Sequence, residues 1–539
     1  MDAHVTAPRW RIADGQLQFD DRPVLLLGGQ LHNSTSSSIG GIAEGLRHAR
    51  EVGGNTVVAP VCWDLSEPVE GEFDFSLVDA LLTEADATDL RLVLLWFGAF
   101  KNAGSTYAPR WVRADTARFP RARTAGAVRP AFTYEGQTPS PVLSVFSSEL
   151  READARAFAA LLTFVAGHPL RDRVAMVQIE NEIGLLADSR DRSELAEAAW
   201  RAQVPDGLIA FLESASDSIA AGLWRAAGEA PSGSWSAVLG EGWEADEVFM
   251  AWAFASYVEA LAVRGAAIWP VPFYVNAWLG PQPGQDRAGQ YPSGGPASRV
   301  LDVWRAAAPS LATRSPDIYI DDAAGVIEAY AADGSPLFVP ECRLRAGDAV
   351  LAIARGALGW SAFGIDDARP GGQVSQLLGQ LARLEDLVTT AQRERRLAAI
   401  VLEPGAETAE VEVAGFRLVG RGTRALFGRM LLDVGVAELP PAPEPPPETQ
   451  DGARITAPHD VRPFALVIAE PDDAFLVLGE GLTLDFFHDD GTVELDSVVA
   501  GVWEAGEWVP RAVLNGDERL DILPMDELGV VRIRLLRLP

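Results

Sequence analysis

The chain has 539 residues, 48% of them apolar and 22% charged, which is enough for two or three domains and typical of a soluble globular protein. Its formal net charge of −31 argues against nucleic acid or an anionic membrane as a partner, and it is compatible with a neutral substrate such as a sugar. Two cysteines and six scattered histidines provide neither a disulfide framework nor a paired zinc motif, so no metal site is expected.

The N-terminal residues MDAHVTAPRW lack the basic and apolar regions of a signal peptide, and no apolar stretch is long enough to span a membrane. We therefore expect a cytoplasmic protein in a reducing compartment. The sequence does not define the oligomeric state, and a homodimer is compatible with it.

Strand and helix patterns alternate through residues 1–384. Trp10–Arg22 alternates between apolar and polar residues around turn signals and predicts a hairpin. Eight apolar runs follow, separated by segments with helical spacing such as Ile42, Leu46 and Ala49. The runs are Pro23–Gly29, Thr56–Val61, Arg91–Gly98, Val174–Glu180, Val271–Leu279, Asp317–Ile320, Pro336–Glu341 and Ala357–Ile365. This alternation predicts an α/β fold, a (β/α)8 TIM barrel.

Three long connections interrupt the alternation: Ala99–Pro141, Leu185–Glu241 and Gly280–Gly295. Each follows a predicted strand, the third, fourth and fifth in turn, and precedes the next helix. In a (β/α)8 barrel such loops lie on the face that carries the active site, so we expect them to build a substrate pocket.

From about residue 385 to residue 539 the helical spacing gives way to short strand patterns. The predicted strands are Leu397–Leu402, Ala409–Val413, Phe464–Ala469, Phe475–Leu478, Leu482–Phe487, Thr492–Val499 and Val530–Leu536. They predict an all-β, sandwich-like C-terminal domain. The Pro-rich segment Leu439–Gln450 is predicted to be an exposed, stiff loop or linker within it.

Two predicted barrel strands end in carboxyl groups. Val174–Gly184 reads VAMVQIENEIG, an apolar run that ends in Asn181 and Glu182, and Pro336–Arg343 reads PLFVPECR and contains Glu341. A charged residue at one strand end is common in any protein, but a second such strand is what a two-carboxylate glycosidase requires. Carboxyl groups about 5 Å apart give retention of configuration and groups about 6.5–9.5 Å apart give inversion, a distance that sequence does not reveal.

The order of these motifs resembles the retaining (β/α)8-barrel glycosidases. Cys62–Phe75, CWDLSEPVEGEFDF, and Gln178–Gly184, QIENEIG, are similar to signatures of glycoside hydrolase family 35, as is Tyr291–Pro296 together with the β-rich tail. The resemblance implies a retaining exo-β-galactosidase acting on terminal galactosyl residues of oligosaccharides, with Glu182 as acid/base and Glu341 as nucleophile. It implies no cofactor.

Further residues near the strand ends are predicted to contact the sugar. The Asn181 amide can hold the hydroxyl next to the anomeric carbon, the alternative being a strand-end cap. Lys101, the only lysine, can donate to a sugar hydroxyl, the alternative being a solvated loop lysine. Lys101 stands where family 35 members carry a different, acidic motif. Glu180 is expected to be buried and either paired with an arginine or hydrogen-bonded. The remaining predicted contacts, each of which can equally be a core residue, are Trp63, Tyr319, Asn276, Trp278 and Phe363.

Other functions remain open at this point. The same barrel and mechanism can serve an arabinopyranoside, a fucoside or a glucoside, because sugars that differ at one substituent bind with modest differences. A carbohydrate-binding protein without catalysis is disfavoured because both carboxyl groups are present. A scaffold that works through the acidic β region is disfavoured by the long loops.

Overall fold

A computed structural model describes residues 9–126, 142–435, 462–504 and 506–538 of the chain. The predicted Pro-rich loop Leu439–Gln450 and the end of the long connection Ala99–Pro141 lie outside these residues. The chain folds as two compact units. The first comprises Met1–Ile12, Asn33–Leu46 and Val58–Ile320, and the second comprises Ala13–His32, Arg47–Val57 and Asp321–Pro539. The predicted division at residue 384 stays a prediction.

The described residues form twenty strands and sixteen α-helices. The strands are β1 Trp10–Ala13, β2 Gln16–Phe19, β3 Arg22–Pro23, β4 Leu26–Gln30, β5 Thr56–Cys62, β6 Arg91–Lys101, β7 Val174–Asn181, β8 Phe273–Trp278, β9 Thr313–Ile318, β10 Glu341–Cys342, β11 Gly359–Phe363, β12 Leu397–Val401, β13 Thr408–Val413, β14 Phe416–Gly422, β15 Phe464–Glu470, β16 Ala474–Glu480, β17 Leu482–Phe487, β18 Thr492–Glu504, β19 Glu507–Leu514 and β20 Gly529–Leu538.

The helices are α1 Ile39–Glu51, α2 Trp63–Ser66, α3 Ser76–Ala87, α4 Arg110–Ala114, α5 Ser148–Gly167, α6 Glu194–Arg201, α7 Asp206–Ser214, α8 Ile219–Ala226, α9 Trp235–Leu239, α10 Trp243–Ala266, α11 Leu301–Ala307, α12 Ala323–Tyr330, α13 Ala346–Ala354, α14 Gln373–Arg383, α15 Glu385–Arg393 and α16 Thr423–Asp433. Within the described ranges, none of them is both long enough and apolar enough to cross a membrane.

Strands β4 to β11 form one eight-stranded sheet in the order β10-β9-β8-β7-β6-β5-β4-β11. The pairs β6/β7, β7/β8, β8/β9 and β4/β11 are parallel. The segment just before β10 closes the ring, because the Ser361 N–H donates to the Val339 carbonyl over 2.8 Å and the Leu358 N–H donates to the Leu337 carbonyl over 2.7 Å. The predicted (β/α)8 barrel is confirmed, and the predicted hairpin is the small sheet β1-β2-β3.

The sequence of the barrel strands explains their burial. β5 and β7 are buried at every position and β6 at every position but the first, as expected for strands covered on both faces. Helices α5 and α10 pack together in the first unit, where a Cβ atom on Gly265 would come within 3.0 Å of Phe158, Leu162 and Phe273. Glycine thus lets this pair of helices approach the sheet closely.

One barrel strand was predicted at the wrong place. The apolar run Asp317–Ile320 indicated a strand, whereas β9 begins at Thr313 and pairs with β8 from Tyr274 to Trp278. The sequence of β9, TRSPDI, has no apolar run that would predict a strand. Its buried side chains include polar ones such as Asp317, which is hydrogen-bonded to Asn276. Strand prediction from apolar residues fails where the barrel interior is polar.

The C-terminal β region has two antiparallel sheets, β12-β15-β16-β20-β18-β19 and β13-β14-β17. Their facing side chains share one core, which includes Ile400, Val467 and Val477 from the larger sheet and Leu418 and Leu484 from the smaller. The predicted sandwich-like region is confirmed. Strands β14 and β19 and helix α16 were not predicted, since glycine, arginine and proline interrupt the apolar pattern in those segments.

Candidate active site

The end of β7 holds the predicted acid/base in an unusual backbone conformation. Glu180 and Glu182 have φ angles of 60° and 46°, a region that costs a residue other than glycine about 1–3 kcal/mol. At Glu182, two backbone hydrogen bonds offset part of this conformational cost. Its N–H donates to Asn276 Oδ1 over 2.8 Å and its carbonyl accepts from the Ala103 N–H over 3.1 Å. These bonds hold the backbone of Glu182, a residue that is only 7% exposed.

Asn276 on β8 positions Glu182 instead of presenting a free amide. While its Oδ1 accepts from Glu182, its Nδ2 donates to Asp317 Oδ2 on β9 over 2.7 Å. Both ends of the amide are thereby used within the protein, and three neighbouring strands are linked at their ends. The predicted contact of Asn276 with the sugar stays a prediction, whereas its hold on Glu182 is a feature of the structure.

Lys101 and Asn181 form a buried polar pair at the ends of β6 and β7. Lys101 Nζ donates to Asn181 Oδ1 over 2.8 Å and to Asn102 Oδ1 over 2.7 Å, and it lies 4.6 Å from the centre of the Phe97 ring. Lys101 is only 9% exposed, so it is not a solvated loop lysine. Asn181 Nδ2 is buried and, in the described part of the chain, has no hydrogen-bond partner. It is a donor that a ligand oxygen can use.

The motif after β5 forms a self-contained turn. Trp63 is fully buried, and its indole N–H donates to Glu67 Oε2 over 2.7 Å. Glu67 Oε1 accepts from the Gly71 N–H over 2.7 Å and from Arg156 over 3.3 Å. The Trp63 ring packs on Trp96 and Trp111. The Trp63 ring therefore supports the fold of this loop, and its predicted contact with the sugar stays a prediction.

The other predicted aromatic residues lie at the ends of barrel strands. Trp278 ends β8 and Tyr319 follows β9, and both are partly exposed. Phe363 ends β11, is 8% exposed, and packs edge-on against the His32 ring with centroids 5.2 Å apart. His32 Nε2 is 2.8 Å from Asp367 Oδ2, which orients the imidazole. The predicted contacts of Trp278, Tyr319 and Phe363 with the sugar stay predictions.

The predicted nucleophile Glu341 begins β10 and is 7% exposed. The next residue anchors this short strand, because the buried Cys342 thiol donates to the Ser361 carbonyl over 3.2 Å. Arg343 and Arg345 both pair with Asp321 just beyond it, at 3.0 and 3.1 Å. Like Glu182, Glu341 is a nearly buried residue with a carboxyl group beside the barrel.

Three residues that support these groups were missed from the sequence: Asp154, Tyr257 and Asp317. The signal for Asp154 was present, because it falls between Leu150 and Phe158 at four-residue spacing on the apolar face of α5. A carboxyl group on a buried helix face needs a partner. Across the described ranges, no group of three or more His, Cys, Asp or Glu side chains is arranged to hold a metal ion.

The chain thus folds as a (β/α)8 barrel with nearly buried carboxyl groups at Glu182 and Glu341. Residues 39–207 match the family model described as "Beta-galactosidase", glycoside hydrolase family 42. The family 35 assignment made from motifs was therefore wrong. Residues 374–524 match a "Domain of unknown function (DUF5597)". No curated protein matches the chain.

Solved structures of β-galactosidases resemble the chain at low identity. The enzyme from Bacillus circulans sp. alkalophilus aligns with 95% of this chain and 99% of its own at 11% identity and a TM-score of 0.50, which supports the fold. A family 42 enzyme from G. stearothermophilus aligns with 95% of this chain and 98% of its own at 12% identity and a TM-score of 0.47. The enzyme from Marinomonas ef1 aligns with 67% of this chain at 16% identity and a TM-score of 0.44, and this chain covers 59% of its length.

Proposed function

We propose that this protein is a retaining exo-β-galactosidase that removes terminal non-reducing β-D-galactosyl residues from oligosaccharides. One observation carries the proposal. The segment that matches the β-galactosidase family model contains the end of β7, where Asn181 and Glu182 stand as a buried amide and a nearly buried carboxyl group. This strand end supplies a proton donor and an unpaired N–H group at the same place, as cleavage of a glycosidic bond requires.

The proposed mechanism is a double displacement. Glu182 protonates the leaving oxygen while Glu341 attacks the anomeric carbon, and the resulting glycosyl-enzyme is hydrolysed by a water that Glu182, now a base, activates. The mechanism requires the two carboxyl groups to lie about 5 Å apart in the working enzyme. Asn181 Nδ2 donates to the hydroxyl next to the anomeric carbon, a hydrogen bond that strengthens in the transition state.

Lys101 is the second element of the proposed sugar site. Its hydrogen bond to Asn181 Oδ1 fixes the amide so that the Nδ2 group faces away from the lysine. In this arrangement Lys101 orients the amide, and its ammonium group can also donate to a sugar hydroxyl. Removing the ammonium group should therefore weaken the contact of Asn181 with the sugar and the contact of Lys101 with the sugar at the same time.

The experiment that tests the proposal compares initial rates on p-nitrophenyl β-galactoside, β-glucoside, β-fucoside, α-arabinopyranoside and α-galactoside. We expect the fastest release from β-galactoside, with a β-anomeric sugar as the first product in a proton NMR time course. A preference for another sugar of the same anomeric class would keep the mechanism and change the substrate. A first product with the anomeric configuration inverted relative to the substrate would contradict double displacement, and release from none of the five would contradict the proposed activity on simple glycosides.

A further inference from the structure

A second pair of carboxyl groups lies in the first unit, on α5 and β7. Asp154 on α5 and Glu180 on β7 are both fully buried, and their carboxyl groups lie side by side, because the Ala99 N–H donates to Asp154 Oδ2 over 3.2 Å and to Glu180 Oε1 over 3.0 Å. In the part of the chain that the structure describes, neither forms an ion pair with an arginine or a lysine. Glu180 was expected to be hydrogen-bonded or paired with an arginine, and its partner is another acid.

Asp154 is surrounded by donors, as a carboxylate would be. Its Oδ1 accepts from the Trp96 indole N–H over 2.9 Å, and its Oδ2 accepts from the Tyr257 hydroxyl over 2.7 Å and from the Ala99 N–H over 3.2 Å. Burial raises the pKa of Tyr257 well above its usual range, so its hydroxyl remains a donor. Burial raises the pKa of Asp154, and these three donors on its two oxygens counteract part of that increase.

Glu180 makes a different set of bonds. Its Oε1 accepts from the Ala99 N–H over 3.0 Å and its Oε2 from the Phe100 N–H over 2.8 Å. Burial raises the pKa of Glu180, and the adjacent charge of Asp154 raises this pKa further. Two carboxylates in contact in a dry site cannot both ionise, so one proton must remain in the pair.

We propose that Asp154 and Glu180 share a single proton at neutral pH and act as a positioning pair for the residues that perform the reaction. Glu180 carries the proton and donates it in a hydrogen bond to Asp154, while its two oxygens hold the backbone of β6. Neither residue touches substrate. The inference rests on the proposed function, because it concerns the placement of Glu182 and Lys101.

The backbones of β6 and β7 connect the Asp154–Glu180 pair to the proposed active site. Phe100, held by Glu180, immediately precedes Lys101, and Glu180 is itself two residues before Glu182. Beyond the pair, the strand ends are joined again where the Asn102 N–H donates to the Asn181 carbonyl over 3.1 Å. The pair therefore fixes the register in which β6 and β7 present their last residues.

Gly98 shows how closely the pair is packed. A Cβ atom at this position would lie 2.8 Å from Asp154 Oδ1, 2.8 Å from Glu180 Oε1 and 2.4 Å from Trp96 Nε1. Only glycine leaves room for the two acids to meet. A methyl group placed here would push the two carboxyl groups out of position without removing any polar atom. Gly98→Ala therefore perturbs the pair independently of a substitution at Glu180.

The proton is tested by infrared difference spectroscopy at pH 7, which does not depend on activity. The spectrum of the wild type minus Glu180→Gln should show the carbonyl stretch of a protonated carboxyl group. Glu70→Gln is the matched control, because Arg118 holds the pKa of Glu70 below its usual value and this group is a carboxylate. Only carboxylate bands in the Glu180 difference spectrum would overturn the shared proton.

The positioning role is tested by steady-state kinetics of two variants at the same residue. Glu180→Gln keeps a neutral side chain with a donor for Asp154, and kcat should stay within about 3-fold of the wild type. Glu180→Leu leaves the N–H groups of Ala99 and Phe100 unpaired, and kcat should fall about 100-fold with a smaller change in KM, as expected for misplaced catalytic groups. Glu70→Gln should have the kcat of the wild type.

Two results would overturn the positioning role: a Glu180→Leu enzyme with wild-type kcat, or a Glu180→Gln enzyme as impaired as Glu180→Leu. If Glu180→Leu does not fold, as judged by near-UV circular dichroism, Gly98→Ala takes its place and should lower kcat at least about 10-fold. A wild type without glycosidase activity would refute the proposed function, and the infrared result would still decide whether the proton is shared.

Discussion

The Asn276→Ala variant tests whether Asn276 supports catalysis in addition to stabilising the fold. Asn276→Ala removes the acceptor that holds the Glu182 N–H at 2.8 Å and the donor that reaches Asp317 Oδ2 at 2.7 Å. Each lost hydrogen bond in a buried setting costs about 1–3 kcal/mol, so the free energy of unfolding should fall by about 2–6 kcal/mol. Because Glu182 loses the bond that supports its left-handed backbone, kcat should also fall, by about 100-fold.

The chain offers a matched control in Asn55, another amide that bridges two segments. Its Oδ1 accepts from the Leu27 N–H over 2.9 Å and its Nδ2 donates to the Leu25 carbonyl over 3.1 Å. Asn55→Ala should lose a similar amount of stability in urea unfolding while keeping the wild-type kcat on the best p-nitrophenyl substrate. An Asn276→Ala enzyme that is destabilised but retains kcat within about 3-fold would refute the idea that Asn276 positions the acid/base.

Three further outcomes are expected. Glu341→Gln should abolish turnover with an unchanged near-UV circular dichroism spectrum, and residual turnover near wild type would exclude Glu341 as the nucleophile. Burial raises the pKa of Glu247 to about 7 from its usual 4.5, so this residue stabilises the fold fully below pH 4.5 and the contribution is lost as the pH rises to 7. Glu247→Gln should therefore flatten the pH dependence of the unfolding free energy by about 3 kcal/mol over that interval, and an unchanged slope would contradict the raised pKa. Trp63→Phe should lower stability by about 1–3 kcal/mol because Glu67 Oε2 loses its indole donor, and KM should be unchanged. A raised KM would support the predicted contact of Trp63 with the sugar.

The barrel and its carboxylate strand ends could be predicted because they depend on local sequence. An apolar run that ends in Asn181 and Glu182 can be recognised without knowing which segments pack against it in the fold. The same holds for the alternation of strands with helices. The family number could not be read in the same way. Short motifs at strand ends did not distinguish one family from another, and the family model that matches residues 39–207 is that of family 42.

The contacts that support the site were less accessible from sequence because they join distant segments. Asp317 was missed together with the start of β9, since a polar strand carries no apolar signal. The partner of Glu180 comes from α5, and nothing near Glu180 in the sequence indicates it. The fully buried position of Trp63 depends on Glu67, which the motif contains but whose hydrogen bond only the folded loop reveals.

The outer strand of the larger β-sheet limits how copies of this protein can associate. β19 is the last strand in the order of that sheet, and it carries Pro510, which has no N–H group, paired with Gly501 where the register of β18 shifts. Proline and register irregularities on an outer strand are features that disfavour the addition of further strands. The sequence of β19 is therefore unfavourable for continuous extension of this sheet.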